Sequence, residues 1–397
     1  MERKKEDVHI RKIALLVATA SVLQLLESLF PHPVPGVRLG LSNMVTLIAL
    51  VDIGFAAAIE VAVLRTVISS FILGSFLSPS FLLSFFGALL STLAMGLAYK
   101  GSLKVNYVFL SLTGISVLGA VVHNITQVGL VYLLLIQQKE IFMLLPWLGI
   151  SAVLMGWVNG LIVSGVCRRL ANPANTEGQV KGEIPEAGIF GSGRYVGSVS
   201  PVHALTPGIK ISIVILLGLL LLFMENYYFY AATFVFLAVI NKLSGFSMAV
   251  LLKDLKKISI FVLSAFLFPV VLNSGGIVLW DTGVFTVTGT GLHTGVVFAI
   301  RIMLLTLSSA LLMRATSPES LIAGLEKLLL PLRRFGLREE RITAVIMLSW
   351  HMVPGIKKRL YDLLRYRRQS PGKFRNIISE LSSTMFLIYK ETEKRSV

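Results

Sequence analysis

The chain has 397 residues, 55% of them apolar and only 15% charged, with a mean hydropathy of +0.78. That balance excludes an ordinary soluble domain and places the protein in the membrane class. The net charge of +16 does not make it a nucleic-acid binder: 17 of its 37 Lys and Arg lie beyond Leu312, alongside 8 acids. A basic end of that kind suits anionic lipid or a cytoplasmic partner, and no base-stacking or groove-reading module is visible.

In chain order, Arg3, Lys4, Lys5, Arg11 and Lys12 precede an apolar run over 13–29. The run continues well past the small residues Ala18 and Ala20, so an uncleaved first helix is expected rather than a signal peptide. Six spans are expected in this first block, at about 12–29, 39–52, 54–75, 80–98, 106–136 and 142–166, from the length needed to cross a bilayer. The N-terminus, the turn with Lys100 and Lys104, and the end with Arg168 and Arg169 are basic and expected inside the cell. The alternate turns carry little positive charge, which gives a six-helix block with both ends cytoplasmic.

From about 171 to 207 the chain is rich in Gly, Pro, Ser, Asn and Glu and lacks apolar periodicity, as a linker does. Its Gly191-Ser192-Gly193 has no preceding strand and reads as linker rather than phosphate loop. The second block has expected spans at about 210–224, 227–241, 257–273 and 293–313. Lys242, Lys253, Lys256 and Lys257 mark an inside loop, and the Thr- and Gly-interrupted stretch 275–291 suggests a short outside hairpin.

Beyond Arg314 the chain is expected to stay in the cytoplasm. Thr316-Ser317-Pro318-Glu319 supplies a hydroxyl cap, a first-turn proline and an acid at the positive dipole end of a helix. That helix runs to about Leu330 and is amphipathic, ended by Pro331 and Gly336. A second amphipathic helix is expected over about 339–369, kinked near Pro354. Both should lie along the membrane or dock on a partner.

A charge at mid-bilayer costs roughly 2.5–3.5 kcal/mol on insertion scales, so ionisable and amide side chains inside spans are functional candidates. Here they are Asn43, Glu60, Arg65, His123, Asn124, Gln127 and Asn159, with Glu27 near them. His123 and Gln127 are four apart and share a helix face. Such groups converging from several helices could line a polar pocket. The structural alternative is a Glu60–Arg65 ion pair with amides bonding neighbouring helices. Arg301, alone in an apolar span, is expected to pair structurally or snorkel. The single cysteine, Cys167, excludes an internal disulfide, and no Cys/His metal spacing exists.

Two resemblances cover most of the chain. Gly40-Leu41-Ser42-Asn43-Met44-Val45-Thr46-Leu47, Arg65, Ser78-Pro79-Ser80-Phe81-Leu82, Gly114-Ile115-Ser116-Val117-Leu118-Gly119-Ala120 and His123-Asn124 stand in the order seen in one family. Over about 10–168 the chain thus resembles the Gx transporter family, also called heptaprenyl diphosphate synthase component I. Its members are similar to the substrate-binding S components of energy-coupling factor (ECF) transporters. From the linker on, Ser200-Pro201-Val202-His203, Leu205-Thr206-Pro207-Gly208-Ile209-Lys210, Arg301, the stretch Arg314 to Leu321, Leu330-Pro331-Leu332, Gly336-Leu337 and Pro354 resemble the transmembrane T component of those transporters. In that family, arginine motifs in cytoplasmic coupling helices dock on two ATPase subunits, and Arg365, Arg367 and Arg368 stand at the corresponding end. The family's Ala-Arg-Gly is replaced here by Leu364-Arg365-Tyr366-Arg367-Arg368, and its Asp-Pro-Arg by Thr206-Pro207-Gly208.

The resemblances imply an all-α integral membrane protein. Residues 1–170 would form a six-helix S-component-like substrate domain and 171–207 a linker. Residues 208–397 would form a T-component-like energy-coupling domain with about four membrane helices and coupling helices over about 317–397. The implied function is a fused substrate-binding and energy-coupling subunit of an ECF-type ABC importer in the plasma membrane, for a vitamin- or isoprenoid-precursor-like small molecule. The chain has no Gly-x-x-x-x-Gly-Lys-Ser/Thr loop, so ATP would be hydrolysed on separate ABC-type ATPase subunits, with no cofactor bound directly. The alternatives are a membrane component of heptaprenyl diphosphate biosynthesis and a scaffold without transport. Prenyl transfer needs clustered carboxylates for Mg²⁺, whereas Asp7, Asp52, Asp254, Asp281 and Asp362 are scattered.

Overall fold

The computed structural model describes residues 2–28, 40–104, 110–136, 139–171, 200–272, 275–281, 286–330, 339–368 and 386. The first block holds α1 (Glu2–Glu27), α2 (Asn43–Asp52), α3 (Phe55–Leu73), α4 (Pro79–Lys104), α5 (Leu112–Val131) and α6 (Leu145–Ala171). A π-helical turn, Tyr132–Ile136, prolongs α5, and a 3₁₀ segment, Lys139–Leu144, leads into α6. The second block holds α7 (Pro201–Ala204), α8 (Pro207–Phe223), α9 (Tyr227–Leu243), α10 (Met248–Leu272), α11 (Gly289–Arg314), α12 (Pro318–Leu329) and α13 (Glu339–Arg368). The expected hairpin is present: β1 (Val278–Asp281) pairs antiparallel with β2 (Thr286–Thr288), Trp280 opposite Val287.

Six of these helices are long and apolar enough to cross a bilayer, five of them in the first block and the sixth being α11. The span expected over 39–52 is different. Helix α2 has only 10 residues, about 15 Å at 1.5 Å per residue, half the hydrocarbon thickness. It is a buried half-helix, and its side chains from Asn43 to Leu50 are all enclosed. Helices α8 and α9, at 17 residues each, sit at the short end of the spanning range. Lys253 and Lys256 do not form a loop; they ride on the first half of α10, whose apolar part is Ile258–Leu272.

Helix ends follow local chemistry. Ser111, Asn226, Thr288 and Ser317 cap α5, α9, α11 and α12, each side chain accepting a bond from a first-turn N–H. Gly74, at φ +65°, closes α3 in the left-handed conformation that favours glycine. Helices α5 and α6 approach closely because α6 offers Gly156 and Gly160. A Cβ at either would lie 2.6 Å from Val117 Cα or 2.5 Å from Thr113 Cα. This is the small-xxx-small contact of membrane helix pairs.

The two blocks do not pack separately. One core joins α1, α2, α3 and α6 to Leu312 and Met313 of α11, Leu321 and Ile322 of α12, and Val345, Ile346, Trp350, Val353, Ile356 and Leu360 of α13. Ser349 Oγ donates to Ala14 O at 2.9 Å, and Ser309 Oγ to Phe76 O at 2.7 Å. Among the described residues, the apolar face of the amphipathic α13 therefore packs on α1 of the same chain. Its helix runs unbroken through Pro354. The helix stops at Pro331 and Gly336 and the glycines 191 and 193 lie outside the described residues.

Candidate functional site

The polar residues of the first block sort into three places. The first is the turn Gly40–Asn43 at the start of α2. Glu27, at the end of α1, accepts from Gly40 N–H at 2.5 Å, and Asn159 Nδ2 of α6 donates to Gly40 O at 3.1 Å. Arg65 of α3 donates to Asn43 Oδ1 at 2.5 Å, to Gln24 Oε1 at 3.4 Å, and to Ser42 Oγ. Four helices thus meet on one turn. Gly40 holds φ +80°, and a Cβ there would stand 3.0 Å from Asn43 Nδ2, so the turn requires glycine.

The second place is α5. His123 lies against Gly87 of α4, where a Cβ would come within 2.9 Å of the ring. Asn124 Nδ2 donates to Leu148 O of α6 at 2.9 Å. Gln127 is fully buried. It lies on the strip of α5 between the α4-facing His123 and the α6-facing Val117, Ala120 and Asn124, and so points to the bundle interior.

Glu60 belongs to neither group, and it does not meet Arg65 as the sequence suggested. Its carboxylate accepts from Arg341 Nη2 at 2.9 Å, joining α3 to α13. The reason lies in reach: Arg65 is already engaged by the α2 turn, and α13 brings a second cation to the α3 flank. Both side chains keep partial exposure, so the pair contributes at most about 1 kcal/mol to folding. Its role is to hold the two blocks in register. Glu60→Lys is expected to raise amide exchange over 339–356 severalfold, and Glu60→Arg with Arg341→Glu to restore protection. Unchanged exchange in the single variant would remove this role.

In the second block Arg301 is buried and structurally paired: Nε donates to Tyr230 Oη at 3.1 Å and Nη2 to Glu225 Oε1 at 3.1 Å. Near the other end of α11, Arg314 meets Asp254 of α10 at 2.5 Å, and Lys210 Nζ donates to Ala315 O at 2.9 Å. The α13 backbone continues helical through Arg365, Arg367 and Arg368. Sequence reasoning missed Ser42, Gln24, Asp254 and Arg341 as members of these sites. Only the Gly40-Leu41-Ser42-Asn43 string carried a usable signal.

Comparison with known proteins divides the chain at the same place. The family profile described as heptaprenyl diphosphate synthase component I matches residues 16–166, and that described as cobalt transport protein (CbiQ) matches 198–389. The energy-coupling factor transporter transmembrane protein EcfT of Brevibacillus brevis is 30% identical over 182 residues, 46% of this chain and 69% of that protein. The chain belongs to the ECF transporter transmembrane protein family. Its likeness to EcfT of Thermosediminibacter oceani is 25% over 198 residues, 49% of this chain and 74% of that one. With EcfT of Streptococcus thermophilus it shares 32% over 162 residues, 41% and 61% of the two chains. It is a multi-pass plasma-membrane component of an ECF transporter, and its EcfT relatives are transporter subunits, not enzymes. The EcfT likeness covers the second block, and the first block is an addition to it.

Proposed function

We propose that the chain fuses a substrate-capturing domain, 1–170, through the linker 171–207 to an energy-coupling domain, 208–397. The capture domain binds a small molecule and ABC-type ATPase subunits hydrolyse ATP for its import. The carrying observation is the shared core. The long helix of the coupling domain, α13, lies directly on α1 of the capture domain and is tied to it by Ser349–Ala14 and to α3 by Arg341–Glu60. A movement of α13 is thereby felt at the helices that build the Gly40 turn. Alternating access requires such a biased two-state element.

Both termini are cytoplasmic in this reading. Support comes from the exposed aromatics Trp147, Tyr227, Tyr228 and Trp280 at one set of helix ends, with Arg168, Arg169, Lys242 and Arg314 at the other. That is the aromatic-outside, positive-inside pattern of an oriented bundle. Asp52 and Asp254 are engaged by Lys12 and Arg314 on different helices, which disfavours a carboxylate pair for prenyl transfer.

Arg365, Arg367 and Arg368 are the ATPase-docking end of α13. Changing all three to Glu is expected to abolish co-purification of the ATPase subunits while leaving the chain folded. Retained ATPase binding would overturn the docking assignment. The fusion itself is tested by reconstituting this chain with its ATPases alone in vesicles. ATP-dependent accumulation of substrate is expected without any further membrane subunit, and a strict need for a separate capture protein would overturn the reading.

A further inference from the structure

The hairpin between α10 and α11 carries an apolar run that stands open to its surroundings. Ile277, Val278, Leu279 and Trp280 are 80%, 54%, 58% and 69% exposed. The base of the hairpin is tied to the start of α11. Gly289 N–H donates to Ile277 O at 2.9 Å, and Thr290 Oγ1 donates to Gly275 O. Gly276 takes φ +94°, and a Cβ there would meet Thr290 at 2.9 Å, so the turn into β1 requires glycine. Strand β2 rests on α10 and α11. Strand β1 lies outside it, exposed along its whole length. The sheet has two strands, so among the described residues the outer edge of β1 has no strand beside it.

Two requirements limit what such a strand can face. In water, an unpaired edge flanked by large apolar side chains is a template for aggregation, and soluble proteins blunt it with lysine, proline or other charge. Residues 277–280 hold none of these. In the hydrocarbon core an open edge is excluded, because its N–H and C=O groups would find no partners. The headgroup–acyl boundary satisfies both requirements: side chains leave water there while the backbone keeps hydrogen-bonding neighbours. A protein partner would cover one face of the strand. Exposure at all four positions, with a register shift between Val278 and Trp280, leaves no sheltered face opposite it.

The neighbouring surface points to the same level. Exposed Ile260, Leu263, Leu267 and Val271 follow one another at helical spacing along α10 toward the hairpin, so the lipid-facing stripe of that helix leads up to β1. Tyr227, at the start of α9, meets His293 of α11 edge-on with ring centroids 5.9 Å apart, and Phe223 and Tyr228 near it are exposed. Aromatic rings with an apolar body and a polar tip collect at the membrane–water boundary. The opposite end of α11 carries Arg314.

We propose that β1 is an interfacial anchor whose partner is a lipid surface, the headgroup–acyl boundary at the start of α11. Helix α11 runs from this anchor to the α12 junction, so β1 sets the depth of the helix that carries the coupling end.

The test uses the full chain in lipid nanodiscs, in a Cys167→Ser background, with a nitroxide label at Leu279→Cys. Leu267→Cys on α10 supplies the lipid reference, and Lys242→Cys at the end of α9 the aqueous one. At position 279 the ratio of collisions with dissolved oxygen to collisions with a water-soluble nickel chelate is expected to be severalfold above that at 242 and no higher than that at 267. Independently, the Trp280 emission, taken as wild type minus Trp280→Phe, is expected to be quenched more by lipid brominated near the carbonyls than by lipid brominated near the chain ends. A label at 279 as open to the chelate as the one at 242 would place β1 in water and overturn the proposal. So would a label that neither collider reaches, which means a protein partner, or spin–spin broadening, which means a second copy paired edge to edge. Trp280 emission quenched best from the chain ends, or not at all, would overturn it as well. The outcome is independent of what the first block captures.

Discussion

Gly160→Leu is expected to prevent the first block from closing, and Gly156→Leu to do nearly the same. At both positions the new side chain meets backbone, Thr113 Cα or Val117 Cα, rather than the end of a flexible side chain. Overpacking that a rotamer change could relieve costs about 1–3 kcal/mol. Here relief demands moving α5 bodily from α6, which also breaks the Asn124–Leu148 bond. The expected result is little or no monodisperse protein in detergent. Gly149→Leu is the control, since a Cβ there meets nothing within 4 Å, and it should express and melt as wild type does. A well-folded Gly160→Leu protein with an unchanged melting temperature would refute this packing.

Arg314→Leu should be the most damaging change in the second block. Arg314 and Asp254 are each about nine-tenths enclosed, so removing one takes an enclosed counter-charge from the other. Such losses run to about 3–5 kcal/mol, while replacing both partners by apolar groups is close to neutral. The double variant Arg314→Leu with Asp254→Leu is therefore expected to recover most of the stability in a denaturant titration. It should not recover ATPase coupling, because the pair also fixes the exit of α11 into α12, where Lys210 holds Ala315 O. Equal stability of the single and double variants would mean the pair contributes nothing.

The helical architecture was legible in the sequence because bilayer crossing imposes a length and a composition on each span. The α12 start was legible too, since Ser317, Pro318 and Glu319 each carry a separate reason to begin a helix there. The half-length of α2 was not. Its apolar run has no caps to mark it, and only its enclosure by α3, α4 and α6 shows that it is a core piece. The candidate polar residues were found by their rarity in apolar spans, but their grouping was beyond reach. Glu60 and Arg65 stand five apart on α3, yet one is taken by the α2 turn and the other by an arginine 281 positions away. Pairings across such distances depend on how the helices are placed, and hydropathy does not encode that.

The seat of α13 on α1 has a consequence for how such a machine shares its work. A capture module made as a separate protein must find its coupling partner by diffusion and compete with others for the same seat. When both lie on one polypeptide, each release is followed by rebinding at an effective concentration in the millimolar range. The ratio of receptor to driver is locked at one to one, and rival receptors are shut out unless they are extremely abundant. Under the proposed fusion, such a transporter would be dedicated to one cargo, and its rate could not be throttled by supplying a competitor.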